Sequence, residues 1–181
     1  MGRLFGTDGV RGIANLDLTP ELAFKLGRAA AHVLLKKKNL NQTGRMLVGR
    51  DTRVSGEMLE AALVAGITSV GVNTELLGVA PTPGVAYLIR KLEADAGVMI
   101  SASHNPVEDN GIKFFNADGY KLPDEVEDEI ESYLPEKMAS QIARPTKLAI
   151  GRVICRTGID REYSRFLMRT IKERFDGLTV V

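Results

Sequence analysis

Apolar residues in this chain alternate between a helical spacing and short continuous or alternating runs. Such a succession of helices and strands is typical of a layered α/β fold, in which helices cover the faces of a sheet. We therefore expect a layered mixed sheet with helices on both faces. The predicted helices begin near Thr19 and Ser55, which we expect to cap them, and near Thr82; two more cover residues 124–134 and 160–175. The predicted strands are residues 46–48, 72–76, 96–100 and 112–115.

The second half of the chain indicates a domain boundary. Residues 135–158 lose the helical spacing and contain Pro145, Gly151 and Gly158, which is typical of a linker. We predict a first α/β domain over residues 1–150, with its linker beginning near 135, and the truncated start of a second α/β domain at 151–181. The last four residues, LTVV, are interpreted as a strand.

The composition excludes several classes of protein. The 181 residues are 44% hydrophobic and 26% charged, which is ordinary for a globular chain, and a net charge of +1 gives no general attraction to nucleic acid or to an acidic membrane. No apolar run approaches the ~20 residues of a membrane span. Because Cys155 is the only cysteine, an internal disulfide is excluded, and we interpret it as a structural thiol. We expect a cytoplasmic protein without nucleic-acid or membrane partners.

The segment AGVMISASHNP at residues 96–106 carries the most chemical information. Its apolar first half indicates a buried strand, and strand ends are common places for nucleophiles and ligand-binding groups in α/β proteins. The polar residues that follow are Ser101, Ser103, His104 and Asn105, before Pro106 ends the strand. A second predicted strand within residues 109–115 carries Lys113 back past the same place.

A hydrolytic serine fits this segment poorly. A Ser-His-acid site needs an imidazole that reaches the serine hydroxyl and is itself held by a carboxylate. His104 directly follows Ser103, and neighbouring side chains in extended backbone point to opposite sides. The other histidine, His32, lies in a predicted helix, where we expect it to be half-buried, and the sequence has no GxSxG elbow.

A serine that carries a phosphoryl group fits the surroundings better. Phosphoserine brings about −1.5 to −2 charges, which cations or backbone N–H groups must meet. The segment FGTDGVRG at residues 5–12 combines three glycines with an arginine, and GRDTR at 49–53 forms a predicted strand-to-helix loop, a frequent anion site. The side chains expected to lie together are those of Ser103, Arg11, His104 and Lys113, with Arg53 nearby.

These motifs resemble those of the α-D-phosphohexomutases in order and in spacing. The matching segments are FGTDGVRG at 5–12, GRDTRVSG at 49–56, PTP at 81–83, ISASHNP at 100–106 and DNGIKFF at 109–115. The first segment and the ISAS form of the serine segment favour the phosphoglucosamine mutase branch over the phosphoglucomutase and phosphomannomutase branches. The resemblance is specific from Gly2 to about Tyr120 and looser up to Val181.

The resemblance implies that Ser103 passes a phosphoryl group to one hydroxyl of a sugar phosphate and takes another back. From the residues alone, Ser101 and Ser103 remain equal candidates, because residues two apart share a face in extended backbone. The implied catalytic residues are Ser103, His104, Arg11 and Lys113, and the implied substrate- or phosphate-binding residues are Thr7, Gly9, Arg53, Asn105 and Ser101.

The resemblance also implies cofactors and partners. These are Mg²⁺, held in part by the Ser103 phosphate, and a bisphosphorylated sugar primer. The implied substrate is a glucosamine phosphate used in cell-wall amino-sugar precursor synthesis, and a homodimer is a candidate assembly.

The sequence departs from the family pattern in its extent. Family members have four domains, and their DGDGDR metal loop, their sugar-discriminating GExSG loop and their C-terminal phosphate loop have no counterpart in these 181 residues. Asp109 and Asp118 stand alone, and we interpret the acidic run at 124–131 as a solvated helix face. We expect a mutase fragment that folds but is inactive alone. The alternatives are the phosphoglucomutase/phosphomannomutase branch and a non-catalytic folded module.

Overall fold

The computed structural model describes residues 3–36, 43–173 and 176–179. Its strands are β1 (Val10–Ile13), β2 (Arg45–Arg50), β3 (Asn73–Val79), β4 (Ala96–Ile100), β5 (Asp109–Asn116) and β6 (Val153–Cys155). Its helices are α1 (Pro20–Leu35), α2 (Ser55–Thr68), α3 (Thr82–Lys91), α4 (Asp124–Ser132), α5 (Glu136–Ala139) and α6 (Ile159–Thr170), with a short 3-10 turn at Lys147–Ala149.

The described strands form a single mixed sheet in the order β1-β5-β4-β2-β3-β6. Strands β4, β2, β3 and β6 are parallel neighbours, whereas β5 runs antiparallel to both β4 and β1. Parallel neighbours need a long crossover. Helix α2 supplies the crossover from β2 to β3, and α3 supplies the one from β3 to β4. The predicted mixed sheet is therefore confirmed.

The sheet has a buried core on each face. Successive side chains of a strand point to opposite faces. In β2, Met46 and Val48 pack into the core beneath α1 and α2, and Leu47 packs into the core that contains residues of α3. In β4, Val98 and Met99 divide between the two cores in the same way. The helices on both faces confirm the layered architecture.

Two helix starts are predicted from capping residues, and the structure confirms the capping role of only the first. Thr19 caps α1, because its Oγ1 accepts a hydrogen bond from Leu22 N at 3.3 Å, and Pro20 occupies the first turn. Helix α2 does begin at Ser55, but the predicted capping role of that serine is wrong. The Ser55 hydroxyl instead accepts a hydrogen bond from Asn110 Nδ2 at 2.9 Å, which joins the start of α2 to β5.

The acidic helix α4 is more than the solvated face that the charge run indicates. Glu127 is 1% exposed, and its carboxylate pairs with Arg3 at 3.4 Å and with Lys121 at 2.9 Å. Glu131 accepts hydrogen bonds from the backbone N–H of Leu4 at 3.0 and 3.1 Å. These contacts fix the N-terminal segment beside α4, and such tertiary pairing cannot be read from a run of like charges.

The predicted linker contains ordered elements. Strand β6 lies within it and pairs in parallel with β3, with Thr74 opposite Val153. Cys155 in β6 is exposed, and its interpretation as a structural thiol stays a prediction. The division into domains at residue 150 stays a prediction.

The C-terminal elements differ from their predicted bounds. Helix α6 ends at Thr170 rather than at residue 175, which lies outside the described residues. Leu178 and Thr179 belong to no strand, and residues 180 and 181 of the predicted LTVV strand are also outside the described range. Over the described ranges, no helix has the length and apolar character needed to cross a membrane.

Candidate functional site

The segment between β4 and β5, which we call the serine loop (residues 101–108), presents a serine in a left-handed turn. Ser103 is exposed and has φ 57°, a conformation that non-glycine residues rarely adopt. Ser101 is 4% exposed, and its Oγ accepts a hydrogen bond from Ser103 N at 3.0 Å. The extended backbone assumed from the sequence is therefore wrong here. Ser101 braces the loop from inside, and Ser103 is the serine that the loop exposes.

Strand β5 brings a cation to the Ser103 hydroxyl. The antiparallel register places Lys113 opposite Met99, and its Nζ lies 3.1 Å from Ser103 Oγ. Lys113 is only 6% exposed, and its Nζ also lies 2.7 Å from Asp8 Oδ2. A partly buried ammonium beside an exposed hydroxyl stabilises negative charge on that oxygen or on a group attached to it.

The N-terminal loop completes a chain of contacts around the serine loop. The Arg11 guanidinium pairs with Asp8 and donates to Asn105 Oδ1 at 3.3 Å. Burial alone would raise the pKa of the Asp8 carboxyl, but the hydrogen bonds and charges of Lys113 and Arg11 outweigh burial and lower that pKa. Asp8 therefore stays ionised near neutral pH and holds both cations in place.

Asp8 was not singled out from the sequence. The available signal was an acid flanked by glycines in the same segment as Arg11. That segment alone does not predict an ion pair between Asp8 and Lys113, which follows more than a hundred residues later. That contact depends on β1 pairing with β5, which places Arg11 opposite Gly111.

Close packing of the N-terminal loop on β5 requires a glycine. Gly9 has φ 82°, and a Cβ built on it would lie 2.3 Å from Ile112 O, within a backbone clash. Thr7 lies exposed in the turn that the Gly6–Gly9 bridge closes. The structure thus brings Gly9 against the strand that carries Lys113 and leaves Thr7 at the surface.

The remaining predicted site residues have different surroundings. Asn105 Nδ2 donates to Asp109 Oδ2 at 3.0 Å, so this amide links both ends of the serine loop. His104 is exposed. Arg53 lies against the loop, but its guanidinium donates to backbone carbonyls of residues 103, 105 and 106. The site also includes the buried Asn110, whose Nδ2 donates to Ser55 Oγ at 2.9 Å; no sequence motif predicts this contact.

The described residues do not form a metal centre by themselves. Over these residues, no three His, Cys, Asp or Glu side chains cluster as ligands. The Asp8 carboxylate, which contacts Lys113, is already engaged by two cations. A divalent cation prefers several free oxygens. The side chains of the described residues therefore do not fit Mg²⁺ on their own, and we derive no step through it.

Comparisons with known proteins assign the sequence of this chain to a family. The model of one family, described as phosphoglucomutase/phosphomannomutase, alpha/beta/alpha domain I, matches residues 2–141. Similar curated proteins include a phosphoglucosamine mutase of Carboxydothermus hydrogenoformans, 59% identical over 181 residues, and one of Thermoanaerobacter pseudethanolicus, 58% identical. Both alignments cover 100% of this chain but 40% and 39% of the relative. The chain thus spans about 40% of the length of these relatives.

Solved structures agree at the level of the fold. A putative phosphomannomutase from Thermus thermophilus has a TM-score of 0.77 and 28% identity, over 93% of this chain and 36% of that one. A phosphoglucomutase/phosphomannomutase family protein from Burkholderia thailandensis has a TM-score of 0.75 at 21% identity, over 92% of this chain and 35% of that one. The second likeness shows the fold alone. This chain belongs to the phosphoglucomutase/phosphomannomutase family, of which residues 2–141 form the α/β/α domain I.

Proposed function

We propose that this chain is the N-terminal part of a phosphosugar mutase that interconverts glucosamine 6-phosphate and glucosamine 1-phosphate. Family membership supports a phosphosugar mutase, and the 59% and 58% identical relatives named phosphoglucosamine mutase support the amino sugar. In this proposal the product enters the synthesis of cell-wall amino-sugar precursors.

In this function Ser103 carries the phosphoryl group. The observation that supports it most is the exposed Ser103 hydroxyl, held in a left-handed turn 3.1 Å from Lys113 Nζ. In the forward step, the bond between phosphorus and Ser103 Oγ breaks while phosphorus bonds to a sugar hydroxyl oxygen. That hydroxyl loses its proton, and Ser103 Oγ takes one up. In the return step, Ser103 Oγ loses its proton and bonds to the phosphorus of the other phosphate, whose bond to the sugar oxygen breaks. The sugar oxygen takes up a proton, and the phosphoserine is restored.

The charged neighbours of Ser103 fit this chemistry. Phosphoserine carries about −1.5 to −2 charges near neutral pH. Lys113 donates to Oγ and stabilises the charge that develops on this oxygen as the phosphoryl group leaves. Arg11 adds a second cation, which is linked to Lys113 through the Asp8 carboxylate. Asp8 contacts both side chains and holds them in place. His104 orients the loop or binds substrate and is not the base of a catalytic triad.

Two further components belong to the proposal. A bisphosphorylated sugar primer would load Ser103, and Mg²⁺ would supply charge neutralisation at the transferring phosphoryl group. Within the described residues, a phosphate oxygen on Ser103 would be the ligand, since they show no cluster of metal-binding side chains.

The test uses a complete enzyme, in which this sequence replaces the matching 40% of the Carboxydothermus hydrogenoformans relative. We expect conversion of glucosamine 6-phosphate to the 1-phosphate in the presence of Mg²⁺ and primer, and none when Ser103 is changed to Ala. A folded chimera without turnover, or a fully active Ser103→Ala chimera, would contradict the proposal. The preference for one sugar is tested on the protein in its natural length. There, kcat/KM for glucosamine 6-phosphate should exceed kcat/KM for glucose 6-phosphate and for mannose 6-phosphate.

The proposed mutase and its rival functions predict different masses for the protein isolated from cells. A phosphoserine enzyme isolated from cells carries one added phosphate on a fraction of molecules, and treatment with phosphatase removes it. A serine esterase or a non-catalytic module of the same fold would show no such species. Intact-mass measurement before and after phosphatase treatment therefore separates these alternatives from the proposed mutase.

A further inference from the structure

The connection between β2 and α2 places an arginine directly against the serine loop. Arg53 donates from Nη1 to Pro106 O at 2.7 Å and from Nη2 to Asn105 O at 2.8 Å and Ser103 O at 3.1 Å. Its Nε donates to Asp51 Oδ2 at 3.2 Å. The side chain is 11% exposed, and its contacts with Asn105 O and Asp51 are partly buried, whereas those with Ser103 O and Pro106 O lie at the surface.

These contacts use almost all of the donors of Arg53. A guanidinium offers a fixed planar fork of N–H groups, and here all but one of them point to acceptors in the protein. Few donors remain for an anion. Arg53 therefore does not clamp the phosphoryl group directly, although a position in a GRDTR segment suggests that role.

The same connection is attached to the serine loop on both sides. Asp51 N donates to Ile100 O at 3.0 Å, at the last residue of β4, and Asp51 Oδ1 accepts from Arg53 N at 3.0 Å. At the start of β5, Asn110 binds the Ser55 hydroxyl. The connection thus contacts β4 where the serine loop begins, β5 where it ends, and three carbonyls in between.

We propose that Arg53 is a positioning residue, which holds the backbone of residues 103–106 so that Ser103 keeps its left-handed conformation and its Oγ stays beside Lys113. A non-glycine residue at φ 57° is unfavourable and persists only where its surroundings impose it. The fork of Arg53 fixes the Ser103 carbonyl from one side, and the Ser101 hydroxyl fixes the Ser103 N–H from the other. The catalytic consequence of this role rests on the proposed function; the structural consequence does not.

The first experiment measures backbone order in this chain by ¹⁵N relaxation. In the wild type, the amides of Ser103 and His104 should have order parameters near those of rigid backbone, about 0.85. In Arg53→Met they should fall below about 0.6, the range of flexible backbone, while the amides of the sheet stay unchanged. Arg53→Lys should not rescue the loop, because an ammonium on a flexible stem cannot hold three carbonyls in one plane.

The matched control is Arg50→Lys. Arg50 ends β2 three residues earlier, and its guanidinium pairs with Glu57 at 2.9 Å and Glu60 at 3.3 Å, both in α2 rather than in the serine loop. This variant should leave the order parameters of the loop at their wild-type values. Loop order that survives in both Arg53 variants, or that falls equally in Arg50→Lys, would overturn the proposal.

The second experiment measures kinetics in the chimeric enzyme. A misplacement of about 1 Å in a reacting group can reduce the rate by about 10²-fold. We expect Arg53→Lys to lower kcat by about that factor with little change in KM, whereas a phosphate ligand would raise KM. An increase in KM alone would overturn the positioning role. If the parent chimera has no mutase activity, the proposed function fails, and the order parameters still decide whether Arg53 positions the loop.

Discussion

The choice between two serines shows what single residues contribute to this site. Ser101 and Ser103 are equivalent in extended backbone, and the sequence alone leaves them so. The left-handed turn at Ser103 removes the equivalence, because it buries one hydroxyl under the loop and exposes the other beside Lys113. The approach of Lys113 was predictable from two adjacent strands, whereas the role of Asp8 depends on pairing between distant segments.

The two serines should respond differently to substitution in the complete enzyme. Ser103→Ala should reduce mutase turnover to the background rate, since the phosphoryl carrier is gone. Ser101→Ala removes one hydrogen bond, which contributes about 1 kcal/mol, so turnover should fall by no more than about tenfold. Steady-state rates of the two variants test this. Equal loss in both, or full activity in Ser103→Ala, would contradict the assignment.

Gly9→Ala should destabilise the chain through a clash as well as through backbone strain. The new Cβ would lie 2.3 Å from Ile112 O, and the residue has φ 82°. Gly78→Ala is the matched control, since Gly78 has φ 68° and a Cβ added there would meet nothing within 4 Å. Strained conformations cost about 1–3 kcal/mol each, so Gly78→Ala should lower Tm by a few degrees and Gly9→Ala by clearly more. Equal shifts in thermal unfolding would show that the close approach is absent.

Secondary structure elements were predictable where the apolar pattern is strong. Helices α1, α2 and α3 and strands β2, β3 and β4 occur where the pattern indicates them, because each buries a regular face in one of the two cores. Strand β6 was missed, because its three residues are exposed and gain their strand geometry only by pairing with β3. Short edge elements of this kind depend on a neighbour that local pattern does not reveal.

The packing of α1 on α4 makes stability depend on pH through His32. Burial lowers the pKa of His32, with a further contribution from the charge of Lys36, and its ring packs on Tyr133 at a centroid distance of 4.8 Å. A lowered pKa in the folded state means that the unfolded chain binds the proton first. Stability should therefore fall as pH drops below about 6.5 towards the folded-state pKa.

Urea unfolding at pH 7.5 and 5.5 measures this effect. His32→Phe keeps an aromatic ring against Tyr133 but cannot titrate, so it serves as the reference. The wild type should lose more free energy of unfolding between the two pH values than this variant. An equal or smaller loss in the wild type would mean that His32 is not held neutral at the contact.

At the scale of the whole molecule, the sheet formed by the described residues ends in an exposed edge. Strand β6 is the last strand in the order, and Val153 and Ile154 are 49% and 47% exposed. An uncovered apolar edge strand favours pairing with another chain. We expect this chain to associate at high concentration, and Ile154→Lys to reduce that association. Sedimentation velocity over a concentration series is the test, and a wild type that stays monomeric throughout would contradict it.

The chain alone should fold cooperatively without mutase turnover. It has a core on both faces of the sheet, which is sufficient for folding. The proposed reaction also needs a metal centre, and the described residues provide no cluster of ligands for one. Purified chain given glucosamine 6-phosphate, primer and Mg²⁺ should form no 1-phosphate. Sustained turnover would show that the chemistry uses other residues.

Phosphopeptide mapping of the chimeric enzyme tests the central claim most directly. The peptide that contains both Ser101 and Ser103 is isolated after incubation with the bisphosphorylated primer, and fragmentation assigns the phosphate to one serine. We predict phosphate on Ser103, and its loss to the sugar when an excess of glucosamine 6-phosphate is added. Phosphate on Ser101, or a Ser103 phosphate that the sugar cannot remove, would contradict Ser103 as the phosphoryl carrier.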